Sequence, residues 1–387
     1  MLEKQGQIFR KNFDVAVIGG GIAALSACIE ASNRGSSVIL INKGCVGASG
    51  SSPKAAGILA ASFGHGDLNN RRSGDTPEQH SKDTLSVGFG IGNQILIDHV
   101  TKNATDAVHW LEEKGVKFST AEDGLYVQIN APGNSCPRGC SAIGGGHAIM
   151  TKLKNRAQKL GVVFIENTLA KKIVLKDEKV IGVEIQNDEA NHFIGSKSII
   201  LAAGGATGLF PSVSGDNNNT GSSLMLGYNA GAKLGNLEFI EFTLIYRVKG
   251  TILRIAGLAP FMSRGGKLLN KHGVNLSKKY YPNIPPEQIT RADLLKAVHS
   301  ETVDRNAPIF LDCTHFSQKH WEGFEEAQGS IILHKIKKAG CDLTTEPIEV
   351  LPAAHSLLAG LVVDNNAATN VQGLFAAGEN ATGIHGA

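Results

Sequence analysis

At 387 residues the chain is long enough for two or three compact domains, and 42% hydrophobic with 19% charged content is that of a soluble globular protein with a sizeable core. A net charge of +3, with Arg71-Arg72, Lys171-Lys172 and Lys337-Lys338 scattered among acidic residues, lacks the clustered cations that nucleic-acid binding needs. The longest early uncharged run, Val15 to Ile29, has 15 residues and three glycines, fewer than the roughly 18 to 20 that span a bilayer; with no signal peptide in view, the expectation is a cytoplasmic protein that is not integral to a membrane.

In chain order, "FDVAVIGG" predicts a strand whose unbroken apolar run marks a parallel strand buried on both faces. "GIAALSACIEASNR" follows at helical spacing with Gly35 as its C-terminal cap, and "SSVILIN" is the second strand of a βαβ unit. Between strand and helix sits Gly19-x-Gly21-x-x-Ala24, the dinucleotide fingerprint with alanine in third place. Gly19 permits the turn, Gly21 lets the backbone approach a pyrophosphate, Ala24 lets helix meet strand, and the helix N-terminus faces the phosphates. The acidic residue expected about 20 positions later is here Asn42, followed by Lys43, so that position leaves open whether the cofactor is FAD or a nicotinamide.

His65 and Asp67 in "FGHGD" lack further ligands at metal spacing and read as loop residues, so no metal is expected. Cys136 and Cys140 in "NSCPRGCSA" are separated by three residues rather than the two of common zinc or redox motifs, and read as an incidental loop pair; half a metal site or a redox pair is the alternative. The six cysteines fit a reducing compartment. "SKSIILAAGGATG" and "GLFAAGEN" are further apolar strands running into Gly204-Gly205 and Gly378-Glu379. Small residues at several strand ends suggest one long ligand threaded across the C-terminal edge of a parallel sheet, and FAD fits that length. Asn217 to Asn219 read as a turn before a helix, and "TRADLLKAVHSETVD" as an amphipathic helix before the strand "APIFLD".

The stretches "DVAVIGGGIAALSACIEA", "VILINKGCVGASGSSPKAAGILAA", "DTPEQHSKDTLSVGFGI", "SIILAAGGATGLF", "NNNTGSSLMLGYNAGAKLGNLEFIEF", "GGKLLNKHG", "PIFLDCTH", "PIEVLPAAHSLLAGLVVD" and "GLFAAGENATGIHGA" resemble in order and spacing the flavoprotein family of succinate dehydrogenase, fumarate reductase and L-aspartate oxidase over nearly the whole chain. The resemblance implies an α/β fold, with a Rossmann-like, two-dinucleotide-binding-type FAD domain at 1–236 and 351–387 and an inserted α+β capping domain at 237–350. It places Gly20, Gly21, Ile22 and Ala23 at the pyrophosphate, Lys43 at the adenosine end, and Gly50 to Gly57 at the ribityl chain and flavin, among them Ser51, Ser52, Ala55 and Ala56. Glu379 would meet a ribityl hydroxyl; Ser49, Ala203, Gly204, Gly205, Ser222 and Gly378 complete the expected contacts, with Gly19, Ala24 and Asn42. Gly50 stands where succinate dehydrogenases carry the histidine bonded to the flavin, so FAD should be held noncovalently. Thr220-Gly221-Ser222 replaces the family's Thr-Gly-Asp and removes a carboxylate.

The substrate side departs further. The resemblance carries a substrate histidine onto His355, but the family's other one falls on Thr243 of "EFTLI", its Thr-Glu pair on Leu258 and Ala259, and its proton-transferring arginine on Ala292, beside Arg291. Thr243, Arg291 and His355 are therefore the catalytic candidates, with Arg247, Arg254 and Arg264 as cations of the same insertion. A dicarboxylate clamp needs paired cations, so the expected reaction is hydride transfer between flavin N5 and a small organic acid other than succinate or fumarate. Aspartate-oxidase-like amine oxidation and a catalytically degenerate FAD-binding subunit remain open beside it, as does an iron–sulfur or other redox partner subunit. The family continues past His-Gly-Ala into a helix bearing another substrate arginine, so the expectation is a fragment of a longer protein.

Overall fold

The computed structural model describes residues 12–64, 74–129, 133–187, 190–255, 257–262, 264–284, 289, 291–303, 307–321 and 329–384; His65 and Asp67 lie outside them. The chain divides into two compact units, one of residues 1–209, 216–240 and 356–387, the other of 210–215 and 241–355.

The first unit starts with β1 (Asn12–Ile18), α1 (Ile22–Asn33) and β2 (Val38–Ile41), the expected βαβ. β1 and β2 pair in parallel, Val15 against Val38 through Ile18 against Ile41. All four residues of β2 are buried, because the strand is covered on both faces. Gly35, at φ +83°, follows α1 in the left-handed conformation; its N–H and that of Ser36 donate to Ser32 and Ala31 carbonyls, a Schellman ending that only glycine adopts without strain.

The small strands β3 (Ile58–Ala60), β4 (Gln128–Ile129) and β5 (Gly139–Ser141) form an antiparallel sheet of their own in the order β3-β5-β4, with helices α2 (Pro77–Val87), α3 (Gln94–Lys102) and α4 (Ala104–Glu113) between β3 and β4 in sequence. Next come α5 (Gly145–Lys159), β6 (Val163–Ile165), β7 (Leu169–Lys176), β8 (Lys179–Gln186), β9 (Asn191–Leu201), α6 (Ser222–Asn229) and β10 (Leu374–Ala376). Among the described residues the main sheet runs β6-β2-β1-β9-β8-β7, with β10 also on β9. Long β9 serves two partners along one edge: Asn191 to Gly195 pair with β8 and Ile199 to Leu201 with β10.

Alternation along the strands feeds two cores. Val17, Val38 and Leu40 pack with Leu25 and Ile29 of α1 and Ile149 and Leu153 of α5. Ala16, Ile18, Ile39 and Ile41 face the other way, toward Leu226 of α6 and the apolar residues of β7 and β8.

The second unit is a sheet with strands in the order Thr251–Leu253, Ile240–Val248, Ile348–Leu357, Ile309–Asp312, Lys267–Asn270. Its core takes Tyr246, Leu268, Ile309, Leu311 and Val350 from the strands and Leu294, Ala297 and Val298 from the expected helix, Arg291–Thr302.

Candidate functional site

β1, β2, β9 and β10 run parallel and end on one edge, where the turns after them (Gly19–Gly21, Asn42–Gly44, Ala202–Gly204 and Ala377–Glu379) line a cleft of about 440 Å³. Gly19 is required by its surroundings: at φ +126° a Cβ there would lie 2.2 Å from the Ala202 carbonyl oxygen. α1 starts directly behind this turn, so its N-terminal N–H groups face the cleft. The first of them, of Ile22, donates to Ser52 Oγ at 3.2 Å.

The cleft brings together Gly19, Gly20, Gly21, Ile22, Ala23, Asn42, Lys43, Ser49, Gly50, Ser51, Ser52, Ala203, Gly204, Ser222, Gly378 and Glu379. Ala24 does not line the cleft: it is fully buried in the packing of α1 against the sheet. Ala55, Ala56, Gly57 and Gly205 are not among the lining residues. Ala55 instead accepts from the Gly146 N–H at 2.9 Å, and Gly57 from the Ala142 N–H at 2.8 Å, so this stretch fastens the wall to the start of α5. Gly205 packs beneath Glu379, whose Oε1 would lie 2.5 Å from a Cβ at 205.

Asn42 turns its amide inward: Nδ2 donates to the Gly44 carbonyl at 2.9 Å and to Ser49 Oγ at 3.1 Å, shaping the turn that follows β2. The Lys43 ammonium donates to the Asn218 carbonyl and to Thr220 Oγ1; burial pulls its pKa down, against the opposing pull of Asp216. Glu379 Oε1 accepts from the Leu357 N–H at 2.8 Å. Asn380, fully buried, holds the strand ends together by donating to the Gly204 carbonyl at 2.9 Å and Ser223 Oγ at 2.7 Å while accepting from the Ala203 N–H. Asn380, in "GEN", and the Thr168–Ala170 wall are not among the residues expected from the sequence: "GEN" lies at a legible strand end, whereas Thr168–Ala170 carries no local signal and is placed by the β6–β7 connection.

In the second unit, His355 is exposed and its Nδ1 lies 2.7 Å from Ser214 Oγ. Ser214 is fixed because residues 212–214 run alongside the 348–357 strand: the Ala354 N–H donates to the Ser212 carbonyl and the Ser214 N–H to the Ala354 carbonyl. Thr243 is buried on the adjacent strand. Arg291 opens the 291–302 helix. Arg247 is committed to Glu349 at 2.6 Å, and Arg254 and Arg264 each have an interaction partner.

Cys136 and Cys140 are not joined in a disulfide. Cys140 is buried, which pushes its thiol up to about 12, so it is a packed side chain rather than a nucleophile. Among the described residues no three His, Cys, Asp or Glu side chains are placed to hold a metal, and no helix is long and apolar enough to cross a membrane.

The family model described as "FAD binding domain" matches residues 14–387. The chain is 31% identical to one subunit of the fumarate reductase (CoM/CoB) of Methanothermobacter marburgensis, over 97% of this chain and 68% of that protein. It is 28% identical to L-aspartate oxidase of Agrobacterium fabrum, over 96% of this chain and 68% of that one. Among solved structures, FrdA of E. coli quinol fumarate reductase superposes with a TM-score of 0.84 at 24% identity, over 97% of this chain and 66% of that one, a likeness of fold. The chain thus spans about two thirds of the length of these relatives.

Proposed function

We propose, from the premise that the chain belongs to the succinate dehydrogenase/fumarate reductase flavoprotein family of FAD-dependent oxidoreductases, that its first unit holds FAD noncovalently for hydride exchange with a small organic acid other than succinate or fumarate. The observation that carries the reading is the single cleft shared by four parallel strand ends, with Gly19 and the α1 N-terminus at one of them. FAD supplies, when bound, a two-electron acceptor or donor at N5. The residues present fit it. Backbone and small side chains dominate the walls, where larger ones would fill the space: a Cβ on Gly21 would meet Ser52 Oγ at 2.8 Å.

In this reading the N–H groups behind Gly20 to Ala23 face the pyrophosphate, Lys43 supplies positive charge at the adenosine end, and Glu379 serves the ribityl side. Gly50 lies at φ +83° with open space where its Cβ would be, and it offers no side chain to bond a flavin. His355, oriented by Ser214, would receive the polar group of the substrate; Thr243 replaces a cation by a neutral hydroxyl, which supports a substrate with less negative charge than a dicarboxylate. Arg291 is the proposed proton carrier. Six cysteines outside any disulfide support a reducing compartment, the cytoplasm. The Methanothermobacter relative is named as one subunit of its enzyme, which supports a partner chain that exchanges electrons.

L-Aspartate oxidation is the second reading, favoured by Gly50 and by the aspartate oxidase relatives. Anaerobic mixing of the FAD-loaded protein with a panel of hydroxy, amino, unsaturated and dicarboxylic acids separates the readings by which of them bleaches, or after dithionite reoxidises, the flavin. His355→Ala should lower the rate with the active acid roughly a hundredfold, the scale for losing one positioned polar group, with FAD content unchanged. If dithionite alone ever changes the flavin, the chain only binds the cofactor, and the catalytic proposal fails.

A further inference from the structure

The cleft's two long walls come from segments far apart in sequence, residues 42–52 and 218–223. Several side chains stitch them together. Lys54 Nζ lies 2.8 Å from Asp216 Oδ2. The same carboxylate accepts the Asn218 N–H at 2.9 Å on Oδ1 and is hydrogen-bonded by the Gly50 N–H. Asn219 Nδ2 donates to Ser51 Oγ at 3.0 Å, and Lys43 donates to the Asn218 carbonyl and Thr220 Oγ1. Each of these bonds joins segment 43–54 to segment 216–220, which carry the two walls, apart from the Asn218 N–H, which fixes the Asp216 turn itself.

We propose that Lys54 and Asp216 form a clasp that keeps the segment Asp216–Thr220 closed against residues 43–54 and sets how fast FAD leaves the cleft. The proposal rests on the FAD reading above. Asp216 lies just outside the cleft lining, and its carboxylate is spent on the facing segment through Lys54 and the Gly50 N–H. The Asp216 side chain is 12% exposed and well supplied with donors, while Lys54 is 53% exposed. The anchor is therefore ordered and the bolt is open to solvent. A long ligand lying between the walls leaves only when the stitches part, and the ion pair is the stitch that salt can loosen.

The test follows FAD release by the rise in flavin fluorescence after dilution, at NaCl from about 20 to about 500 mM, across which the screening length shortens severalfold. Lys54→Met and Asp216→Asn should each speed release about threefold to fivefold at low salt, on the scale of a half-exposed ion pair, and the double variant should be no faster than the quicker single one. Release from the unaltered protein should accelerate with salt more steeply than from Lys54→Met. Equal release rates and equal salt slopes would overturn the clasp. Amide hydrogen exchange of the FAD-free protein gives a readout independent of the cofactor: Lys54→Met should exchange faster at Asn218 to Gly221 than the unaltered chain, and unchanged exchange there would also overturn it. Failure to take up FAD at all would defeat the cofactor reading, and exchange alone would then decide the clasp.

Discussion

Arg138→Leu is expected to destabilise the protein by about 3–5 kcal/mol, the cost of removing one partner from a buried charge cluster. The guanidinium is fully buried, and it meets Asp75 through Nε at 3.1 Å and Nη2 at 2.7 Å, and Asp83 through Nη1 at 2.7 Å. Without it the Asp75 side chain, at 0% exposure, and that of Asp83, at 11%, would carry uncompensated charge. Burial alone would raise the Asp83 carboxyl, but the Ser135 N–H and hydroxyl, Arg138 and Gln79 together hold it below its usual 3.8. A depressed carboxyl contributes stability above that ordinary value and loses it as the pH falls through the folded one. Loss of Arg138 removes one of the groups that hold the Asp83 carboxyl down and so moves it upward. His80, held below its ordinary value by burial and then by Arg138, shifts the same way once the guanidinium is gone. Urea unfolding should therefore show a deficit in Arg138→Leu that is larger at about pH 7 than at about pH 5; a deficit independent of pH would count against the charge argument. Adding Asp75→Asn should recover part of the loss.

Gly19→Ala should abolish FAD retention. The substitution sets a methyl group 2.2 Å from the Ala202 carbonyl oxygen and forces an alanine to φ +126°, so β1 and β9 must separate where the cleft begins. A strain of about 3 kcal/mol or more corresponds to affinity at least a hundredfold weaker. Gly35→Ala is the control: φ is +83°, nothing lies within 4 Å of the added Cβ, and the residue is at the far end of α1. It should cost about 1 kcal/mol in stability and leave the flavin content of the purified protein unchanged, whereas Gly19→Ala should elute without flavin.

The parts of this site that could be read from the residues are those whose cause is local. An apolar strand, a Gly-x-Gly turn and a helix are one continuous stretch, so Gly19 and Gly21 are legible from spacing alone, while Gly20, Ile22 and Ala23 came with the family resemblance. Strand ends at Gly204 and Gly378 were legible for the same reason. What could not be read depends on partners distant in sequence. Asn42 carries a side chain suited to a ribose hydroxyl, but Gly44 and Ser49, brought close by the turn, take its Nδ2 donors. Ala55 to Gly57 look like more of the same glycine-rich wall, yet the glycines that open α5 draw them away: a Cβ on Gly146 would lie 2.0 Å from the Ser52 carbonyl oxygen. Arg138 sits in the same "CPRGC" that drew attention to its cysteines, and only the return of Asp75 and Asp83 through α2 shows that the arginine, not the thiols, is the group that matters there. Ser214 beside His355 is likewise a product of strand pairing.

Noncovalent FAD binding by the first unit is tested most directly by the absorbance spectrum of the chain after incubation with FAD and desalting, followed by acid precipitation. Flavin bands that stay with the folded protein and pass entirely to the acid supernatant are the predicted result. A colourless protein, or a yellow acid pellet, would contradict it.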